Sequence, residues 1–490
     1  MSVPYSVCVA LMAALIRSGI RVALPESTGK QFGEEPPVAG PPAEVEAGFS
    51  ADSRRVLGLS WPVFVENLLQ TGVGAVDTLM VSVLGTAALA GVGTSVVLLF
   101  IVQSAIMAVA MGGSVLVAHA VGGRDGSLVR RSAGQTLVLG LILSVGLTVL
   151  GTVFAGQFVA LLGPDDEVLR IGTDYMRVTM ATSVGLVMML VMGGILRGAG
   201  ETRTPMYAGV AMNVINVPLS FVMIFGSLGF PELGPVGSAW GAAIARFVGA
   251  GWLFYVLWRG NRGVSVAGRG HWSLESGIVS RILRIGVPSM LEQLMMSLSM
   301  LVFTAMVISL GTAVYAAQRI TFQILSFGWM PGFAFAVAAT TLTGQALGAG
   351  QPAAAVRVTW VATAYATLFM TVFAVAVFIF SEPIAGIYTA DPGIKSLAGE
   401  AMQILALALP GFALTFVLQG GLRGAGDTRF PMWVTGVSSW LVRLPAAWYF
   451  GIHLEFGLAG MYWIFLVETT LRLSVIFWRY QVGRWKEMEV

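Results

Sequence analysis

Apolar blocks of about 20 to 30 residues follow one another from residue 57 to residue 480, and they constrain the fold of this 490-residue chain more than any other feature. A helix needs about 20 apolar residues to cross the hydrocarbon core of a bilayer. Only 11% of the residues are charged, against roughly 25% in water-soluble domains. Because so little polar surface is available, the chain is predicted to be an all-α integral membrane protein.

Glycine, proline and charged residues divide the apolar region into twelve predicted transmembrane helices. Their expected bounds are 57–83, 88–118, 132–158, 168–195, 205–227, 236–258, 280–309, 313–342, 355–380, 396–420, 431–452 and 457–480. If the N-terminus is inside, loops on that side hold 18 of the 28 Lys and Arg residues, and the opposite loops hold three. Cytoplasmic loops carry such an excess, so both termini are predicted to be cytoplasmic at the plasma (inner) membrane.

The first 53 residues differ from the rest. Residues 3–16 form an apolar run too short to span comfortably, and residues 25–48 are rich in Pro and Glu. The basic residues Arg17 and Arg21 follow the apolar run, whereas a signal peptide carries them in front. We therefore expect 1–53 to be a disordered cytoplasmic tail or an over-extended start, with a signal peptide as the alternative, and 485–490 to be a second tail.

The chain contains an internal repeat. The segment LRGAGETRTPM at 196–206 recurs as LRGAGDTRFPM at 422–432, an offset of 226 that also pairs Pro62 with Pro288 and Glu66 with Glu292. Six helices per copy is an even number, so both copies enter the bilayer in the same direction. The sequence predicts two parallel six-helix lobes, 54–270 and 271–484, that move against each other around a binding site at their seam. Transport is favoured over a channel or an embedded enzyme.

The sequence lacks the motifs that several other classes of protein require. No phosphate-binding loop occurs before any of the three lysines, which excludes an ATP-driven pump, and scattered basic residues give no nucleic-acid patch. The single Cys8 cannot form an internal disulfide, and His119, His271 and His453 are too far apart for metal-ligand spacing. We expect no cofactor and no structural metal.

A family resemblance rests on three motifs. The repeated RGAG(E/D)T segment before a proline at the fifth and eleventh helices, WP at 61–62 and VDT at 76–78 resemble the multidrug and toxic compound extrusion (MATE) family. The resemblance implies an antiporter that exports organic compounds, often cationic and amphipathic, in exchange for Na⁺ or H⁺. Composition and spacing alone give a twelve-helix secondary transporter. The alternative is a flippase or exporter of lipid-linked precursors or other metabolites from the wider superfamily.

A carboxylate inside the membrane is expensive and usually has a function. Asp77 and Glu66 lie 11 residues apart, about 16 Å along one face of the first helix. Asp77 matches the acidic residue of the family's first helix, where the resemblance implies a cation or proton site. We expect Asn216, Ser220 and Thr94 beside it.

Ser220 bears on the coupling ion. The segment NVPLS at 216–220 resembles the family's Asn-X-X-X-Asp element, with Ser220 in place of the acid. Hard cations favour several carboxylate or carbonyl oxygens, whereas protonation of Asp77 needs fewer ligands. H⁺ coupling is favoured, and a Na⁺ site near Asp77 stays open.

Glu292, in the seventh helix, has two interpretations. It stands where many family members carry an acid, which the resemblance links to coupling. Its duplicate Glu66 suggests instead that each carboxylate locks its own lobe through a hydrogen bond near a proline kink.

Four arginines lie within predicted helices. Glu468 stands four residues before Arg472, the spacing of an intrahelical ion pair. Arg246, Arg319 and Arg443 have no local partner and are expected to face carboxylates, carbonyls or water across helices. One of them is a candidate partner for Asp77 or Glu292.

The remaining candidates concern motion and substrate. The glycine motifs are predicted to be hinges and topology anchors without a catalytic role, through Arg197, Gly198, Gly200, Arg423, Gly424 and Gly426. Flexible thioethers and aromatic faces suit lipophilic substrates, so the predicted substrate cavity contains Met295, Met296, Trp240, Trp329 and Phe333. Ordinary helix packing is the alternative for each. The expected partners are small organic molecules and the lipid bilayer, with one chain sufficient for function.

Overall fold

A computed structural model of the protein describes residues 48–490 except 164, 261–262, 269–271 and 489. Most of the tail expected over 1–53 lies outside these residues, as do Cys8 and His271. The first helix begins at Phe49, eight residues before its predicted start.

Long helices make up nearly all of the described chain. In order they are α1 (Phe49–Ser82), α2 (Thr86–Gly122), α3 (Gly126–Val153), α4 (Ala155–Ala160), α5 (Asp166–Ala181), α6 (Ser183–Gly198), α7 (Arg203–Phe225), α8 (Pro235–Arg259), α9 (Ser276–Ser309), α10 (Thr312–Gly348), α11 (Pro352–Tyr388), α12 (Pro392–Gly424), α13 (Arg429–Val437), α14 (Leu444–Trp448) and α15 (Gly457–Val482). Two π-helical segments, Ser438–Arg443 and Tyr449–His453, join α13 to α14 and extend α14.

These helices supply the twelve predicted crossings. Nine helices of the described part, α2, α3, α7 to α12 and α15, are long and apolar enough to span a bilayer, and α5 with α6 forms a tenth span bent by 52°. The 34-residue α1 and the run from α13 to the second π-helical segment occupy the first and eleventh positions. The prediction of an all-α fold with twelve transmembrane helices in two parallel lobes is confirmed. The fourth helix, predicted as one continuous span, is broken at Thr182.

The π-helical segment after α13 has an origin in the sequence. In the first repeat Pro218 follows Pro205 by 13 residues, whereas in the second Pro445 follows Pro431 by 14. One extra residue in a continuous helix is accommodated as a π-bulge. The insertion falls within Ser438–Arg443 and shifts the repeat offset from 226 to 227 beyond it.

Two large clusters of buried apolar side chains form most of the core, and the second includes part of α1 from the first lobe. One cluster of buried side chains joins α2, α3, α6, α7 and α8, and another joins α9 to α12 with α14, α15 and the α1 residues Val56 and Leu59. Between the lobes, α2 crosses α9 so closely that a Cβ atom at Gly112 would lie 2.1 Å from the Ile282 carbonyl oxygen, and one at Gly286 would lie 1.8 Å from that of Ala108. Small residues allow such backbone contact between membrane helices.

Candidate functional site

Three predicted coupling residues form a hydrogen-bonded chain in the N-terminal lobe. The Asn216 amide donates to Asp77 Oδ2 at 3.0 Å, and the Ser220 hydroxyl donates to Asn216 Oδ1 at 3.2 Å. Asn216 and Ser220 are buried one turn apart on α7, and Asp77 faces them from α1. Ser220 therefore contacts the carboxylate only through Asn216.

The second carboxylate oxygen of this site has no partner. Asp77 Oδ1 is buried and accepts no hydrogen bond from any described residue. The charge of Arg246 on α8 acts on the Asp77 carboxylate, although no ion pair joins the two side chains. The same arginine acts on Tyr175, whose hydroxyl is hydrogen-bonded to Ser238. Of the three arginines without a local partner, Arg246 is thus the one near Asp77.

Thr94 is not part of this chain. Its hydroxyl donates to the Ala90 carbonyl oxygen of its own helix at 2.8 Å, and no hydrogen bond links it to Asp77 in the described structure. A threonine in a helix commonly satisfies its hydroxyl in this way. Its hydroxyl proton is therefore donated within α2 and not to Asp77.

The duplicated acids Glu66 and Glu292 each pair with the arginine of their own glycine motif. Arg197 Nη1 lies 3.1 Å from Glu66 Oε2, and Arg423 Nη2 lies 2.8 Å from Glu292 Oε1. Thr435 also donates to Glu292 Oε1, at 3.0 Å. Arg423 therefore holds Glu292, and the suggestion that Arg246, Arg319 or Arg443 does so is wrong. Each ion pair therefore joins two helices of the same lobe, as the interpretation of Glu66 and Glu292 as structural residues requires.

The motif glycines allow close backbone packing within each lobe. A Cβ atom at Gly198 would lie 2.3 Å from the Ser114 carbonyl oxygen, and one at Gly424 would lie 2.3 Å from that of Thr340. Such distances are not tolerated by any larger residue. The two contacts are equivalent, because each pair of positions differs by 226 residues.

The other motif positions turn the chain and begin the next helix. Gly200 and Gly426 adopt φ values of +82° and +86°, in the left-handed region that favours glycine. Glu201 Oε1 then accepts hydrogen bonds from the backbone N–H groups of Arg203 and Thr204, at 3.0 and 3.1 Å. A carboxylate there caps the first turn of α7.

The two glycine motifs also contact the opposite lobe. His119 Nε2 lies 2.8 Å from the Gly424 carbonyl oxygen, and Gln345 Nε2 donates to the Gly198 carbonyl oxygen at 3.0 Å. Thr341 donates to the Arg197 carbonyl oxygen at 3.1 Å. We call the end of the molecule that carries residues 198–202 and 424–428 the motif end. The lobes are in contact there, and the sequence alone did not predict this.

A cavity of about 340 Å³ lies within the C-terminal lobe between α9, α10, α12, the π-helical segment and α15. Of the predicted substrate residues, Met296, Trp329 and Phe333 line it. Met295 does not, because its sulfur packs at the position of Gly436. Trp240 lies on α8 of the other lobe and is 40% exposed. The cavity is thus formed by one lobe.

Arginines give this cavity its polarity. Arg319, Arg443 and Arg472 all contribute to its wall. The predicted ion pair between Arg472 and Glu468 is confirmed. Sequence analysis identified these arginines but did not place them in one cavity, although three of the four membrane arginines belong to the second lobe. Within the described residues, no cluster of three His, Cys, Asp or Glu side chains could hold a metal ion.

Comparison with known sequences identifies the family. The MatE family profile matches residues 62–222 and 288–449. The chain belongs to the MATE family. Its members are transporters and not cofactor-dependent enzymes, as the sequence predicted. The two MATE segments begin at Pro62 and Pro288, so the family unit coincides with the internal repeat.

Several MATE relatives are similar over nearly their full length. The probable multidrug resistance protein NorM of Thermotoga maritima is 32% identical over 450 residues, which cover 89% of this chain and 94% of NorM. The multidrug resistance protein MdtK of Yersinia pseudotuberculosis is 28% identical, over 82% of this chain and 89% of MdtK. An outward-facing structure of a multidrug resistance MATE transporter superimposes with a TM-score of 0.83 at 25% identity, covering 89% of this chain and 97% of the other. A crystal structure of MATE in complex with MaL6 has the same TM-score at 24% identity, over 89% and 98% of the two chains.

Proposed function

We propose that this MATE transporter is a secondary antiporter that exports small organic compounds in exchange for H⁺. The observation that carries the proposal is the unpartnered Oδ1 of Asp77, buried in a membrane helix beside Asn216. A charged carboxylate oxygen without a hydrogen-bond donor is destabilised in a low-dielectric site, and binding of a proton or cation stabilises it. The multidrug resistance names of the relatives support export of organic compounds.

H⁺ is favoured over Na⁺ by the oxygens available. Asn216 Oδ1 already accepts the Ser220 hydroxyl proton, and Ser220 is no carboxylate. Na⁺ is a hard cation that takes several oxygen ligands, whereas a proton needs one. The nearby charge of Arg246 further disfavours a bound cation and is compatible with a carboxylate that alternates between charged and neutral forms.

Alternating access supplies the transport cycle. At the motif end, single hydrogen bonds from His119, Gln345 and Thr341 to carbonyl oxygens join the lobes. An ion pair between Asp52 on α1 and Arg357 on α11 also joins them. Polar contacts of this kind can break and re-form. The excess of basic residues in the loops on that side supports a cytoplasmic position for the motif end and for both termini. Because the relatives are bacterial, we assign the plasma membrane. Each chain holds both lobes, so a monomer suffices.

Glu292 and Glu66 are assigned a structural role in this scheme. Each is held by an arginine of its own lobe, and such a pair is disrupted when a proton neutralises the acid. These pairs fix the glycine motifs against α1 and α9, and Asp77 carries the coupling.

Ethidium efflux from proteoliposomes tests the proposal. An imposed proton gradient and then a sodium gradient are applied to wild type, to Asp77→Asn and to the control Asp174→Asn, whose acid lies half-exposed in a weak pair with Arg177. We expect efflux driven by the proton gradient in wild type and in the control, and its loss in Asp77→Asn. Efflux driven by Na⁺ alone would overturn H⁺ coupling. Equal activity of Asp77→Asn and wild type would overturn the assignment of Asp77.

A further inference from the structure

We propose that the cavity of the C-terminal lobe binds small aromatic anions, with Arg319 and Arg443 as the groups that receive the negative charge. The inference rests on the proposed function only in that a transporter of organic compounds needs a binding site for them inside the protein. It adds a charge class of ligand that the proposed function leaves open.

The repeat shows that the polarity of this lobe is reversed. The position equivalent to Asp77 is Phe303, which is fully buried and stacks against Tyr462. Arg443 stands two residues before Pro445, as Asn216 stands two residues before Pro218. Asp77 of the first lobe is therefore replaced by an aromatic ring in the second lobe, and Asn216 is replaced by an arginine.

The positive charge in the cavity exceeds what the protein neutralises. Glu468 is paired with Arg472, which also donates to the Ser438 and Ser439 hydroxyls at 3.0 and 3.1 Å. Among the described residues, the Arg443 side chain has one hydrogen-bond acceptor, the Ser299 hydroxyl, and its guanidinium also lies over the Phe465 ring, 4.8 Å from the centroid. It lies 2% exposed, with its Nε buried and unpartnered.

Arg319 adds a second uncompensated charge. It is exposed, lines the cavity and forms no hydrogen bond or ion pair with any other described residue. Arg443, by contrast, is buried, and a buried guanidinium without a carboxylate costs free energy that a bound anion would recover. An organic cation would instead meet two like charges.

The rest of the wall suits an aromatic ring. Phe333 and Phe416 stack with ring centroids 4.7 Å apart at one side of the cavity, and Trp329 contributes at another. Gln318 is 2% exposed, and neither its amide nitrogen nor its amide oxygen has a hydrogen-bond partner among the described residues. Buried polar groups of this kind are normally satisfied, and a ligand with an acidic group and a ring would satisfy Gln318 while covering the aromatic wall.

Calorimetric titration of the full chain in phosphatidylcholine nanodiscs tests the inference. Naphthalene-1-sulfonate and 1-naphthylmethylammonium share one ring system and differ in charge. We expect the sulfonate to bind more tightly to wild type. The Kd of the sulfonate should rise about tenfold or more in Arg319→Gln and in Arg443→Gln, because each removes a charged hydrogen-bond donor, and Arg443→Lys should restore part of the affinity. Arg170→Gln, an exposed arginine on α5, is the control.

If Arg443→Gln does not fold, Arg319→Gln still tests the inference, because the Arg319 side chain is exposed and its replacement should not disturb folding. Tighter binding of the ammonium than of the sulfonate would overturn the inference, as would an unchanged Kd in Arg319→Gln. The ethidium assay separates the two proposals. Gradient-driven efflux without sulfonate binding would leave the antiporter in place and remove the anion site. Sulfonate binding without gradient-driven efflux of either ethidium or the sulfonate would keep the anion site and remove the antiporter.

Discussion

His119 and Gln345 occupy equivalent positions in the two repeats, and each contacts a glycine carbonyl oxygen of the opposite lobe. The acceptors, Gly424 and Gly198, are equivalent as well, because both pairs of positions differ by 226 residues. Two symmetry-related hydrogen bonds therefore cross the seam at the motif end. The glycine motif thus has a second partner besides its own lobe, which makes it the surface that must separate when this end opens.

Loss of these two bonds is expected to favour opening at the motif end. The double variant His119→Ala, Gln345→Ala removes both donors and leaves the two carbonyl oxygens to water. Net hydrogen-bond contributions of about 1 kcal/mol each predict a shift of roughly thirtyfold in the ratio of open to closed states. Double electron–electron resonance between spin labels at Arg124→Cys and Gln351→Cys, in a Cys8→Ser background, measures that ratio.

His119→Gln supplies the matched control for the gate. Position 345 is the repeat equivalent of position 119 and carries a glutamine, so this variant keeps a hydrogen-bond donor at position 119. We expect its distance distribution to match that of wild type. Identical distributions for the double alanine variant and wild type would show that these bonds do not hold the lobes together.

The two acid–arginine pairs are expected to differ in their contribution to stability. The Glu292 side chain is 7% exposed and that of Glu66 is 21% exposed. Removing one member of a buried ion pair costs about 3 to 5 kcal/mol, since the other charge is left buried, and exposed pairs contribute less. Arg423→Gln should therefore lower the apparent Tm more than Arg197→Gln, as measured by thermal unfolding of the purified protein in detergent.

A double variant isolates the effect of the orphaned charge. Glu292→Gln combined with Arg423→Gln leaves no buried charge and should recover part of the lost Tm. If Arg423→Gln alone and the double variant unfold at the same temperature, charge pairing is not the source of the effect.

The sequence predicted those features that depend on patterns along one helix or on the repeat. The Glu468–Arg472 pair follows from a spacing of four residues, and the duplicated motifs follow from the offset. Contacts across helices were predictable only in part, because lipid and protein core are equally apolar and the sequence does not reveal which face of a helix points inward. For this reason the sequence did not show that Trp240 and Met295 lie outside the cavity of the C-terminal lobe, whereas Met296, one residue further on, lines it.

Gly424 is expected to tolerate no side chain. A Cβ atom there would lie 2.3 Å from the Thr340 carbonyl oxygen, so α12 and α10 would have to separate. Overpacking of this kind costs about 1 to 3 kcal/mol. Gly424→Ala should lower the apparent Tm, whereas Gly146→Ala, a helical glycine with nothing within 4 Å of its Cβ position, should leave it unchanged or raise it. A Gly424→Ala protein as stable as wild type would contradict the packing argument.

Replacement of Ser220 by aspartate is expected to create a sodium requirement. Ser220 is fully buried and 3.2 Å from Asn216 Oδ1, next to the Asp77 carboxylate that Asn216 binds. A second carboxylate at this position would repel the first, and a bound Na⁺ would relieve that repulsion while gaining hard oxygen ligands. The apparent Tm of Ser220→Asp should therefore rise when Na⁺ replaces choline at constant ionic strength. Ser220→Asn has nearly the same volume without the charge and should show no such rise, as should wild type. A Ser220→Asp protein indifferent to Na⁺ would mean that the number of carboxylates does not decide the coupling ion, and the argument for H⁺ from Ser220 would fail with it.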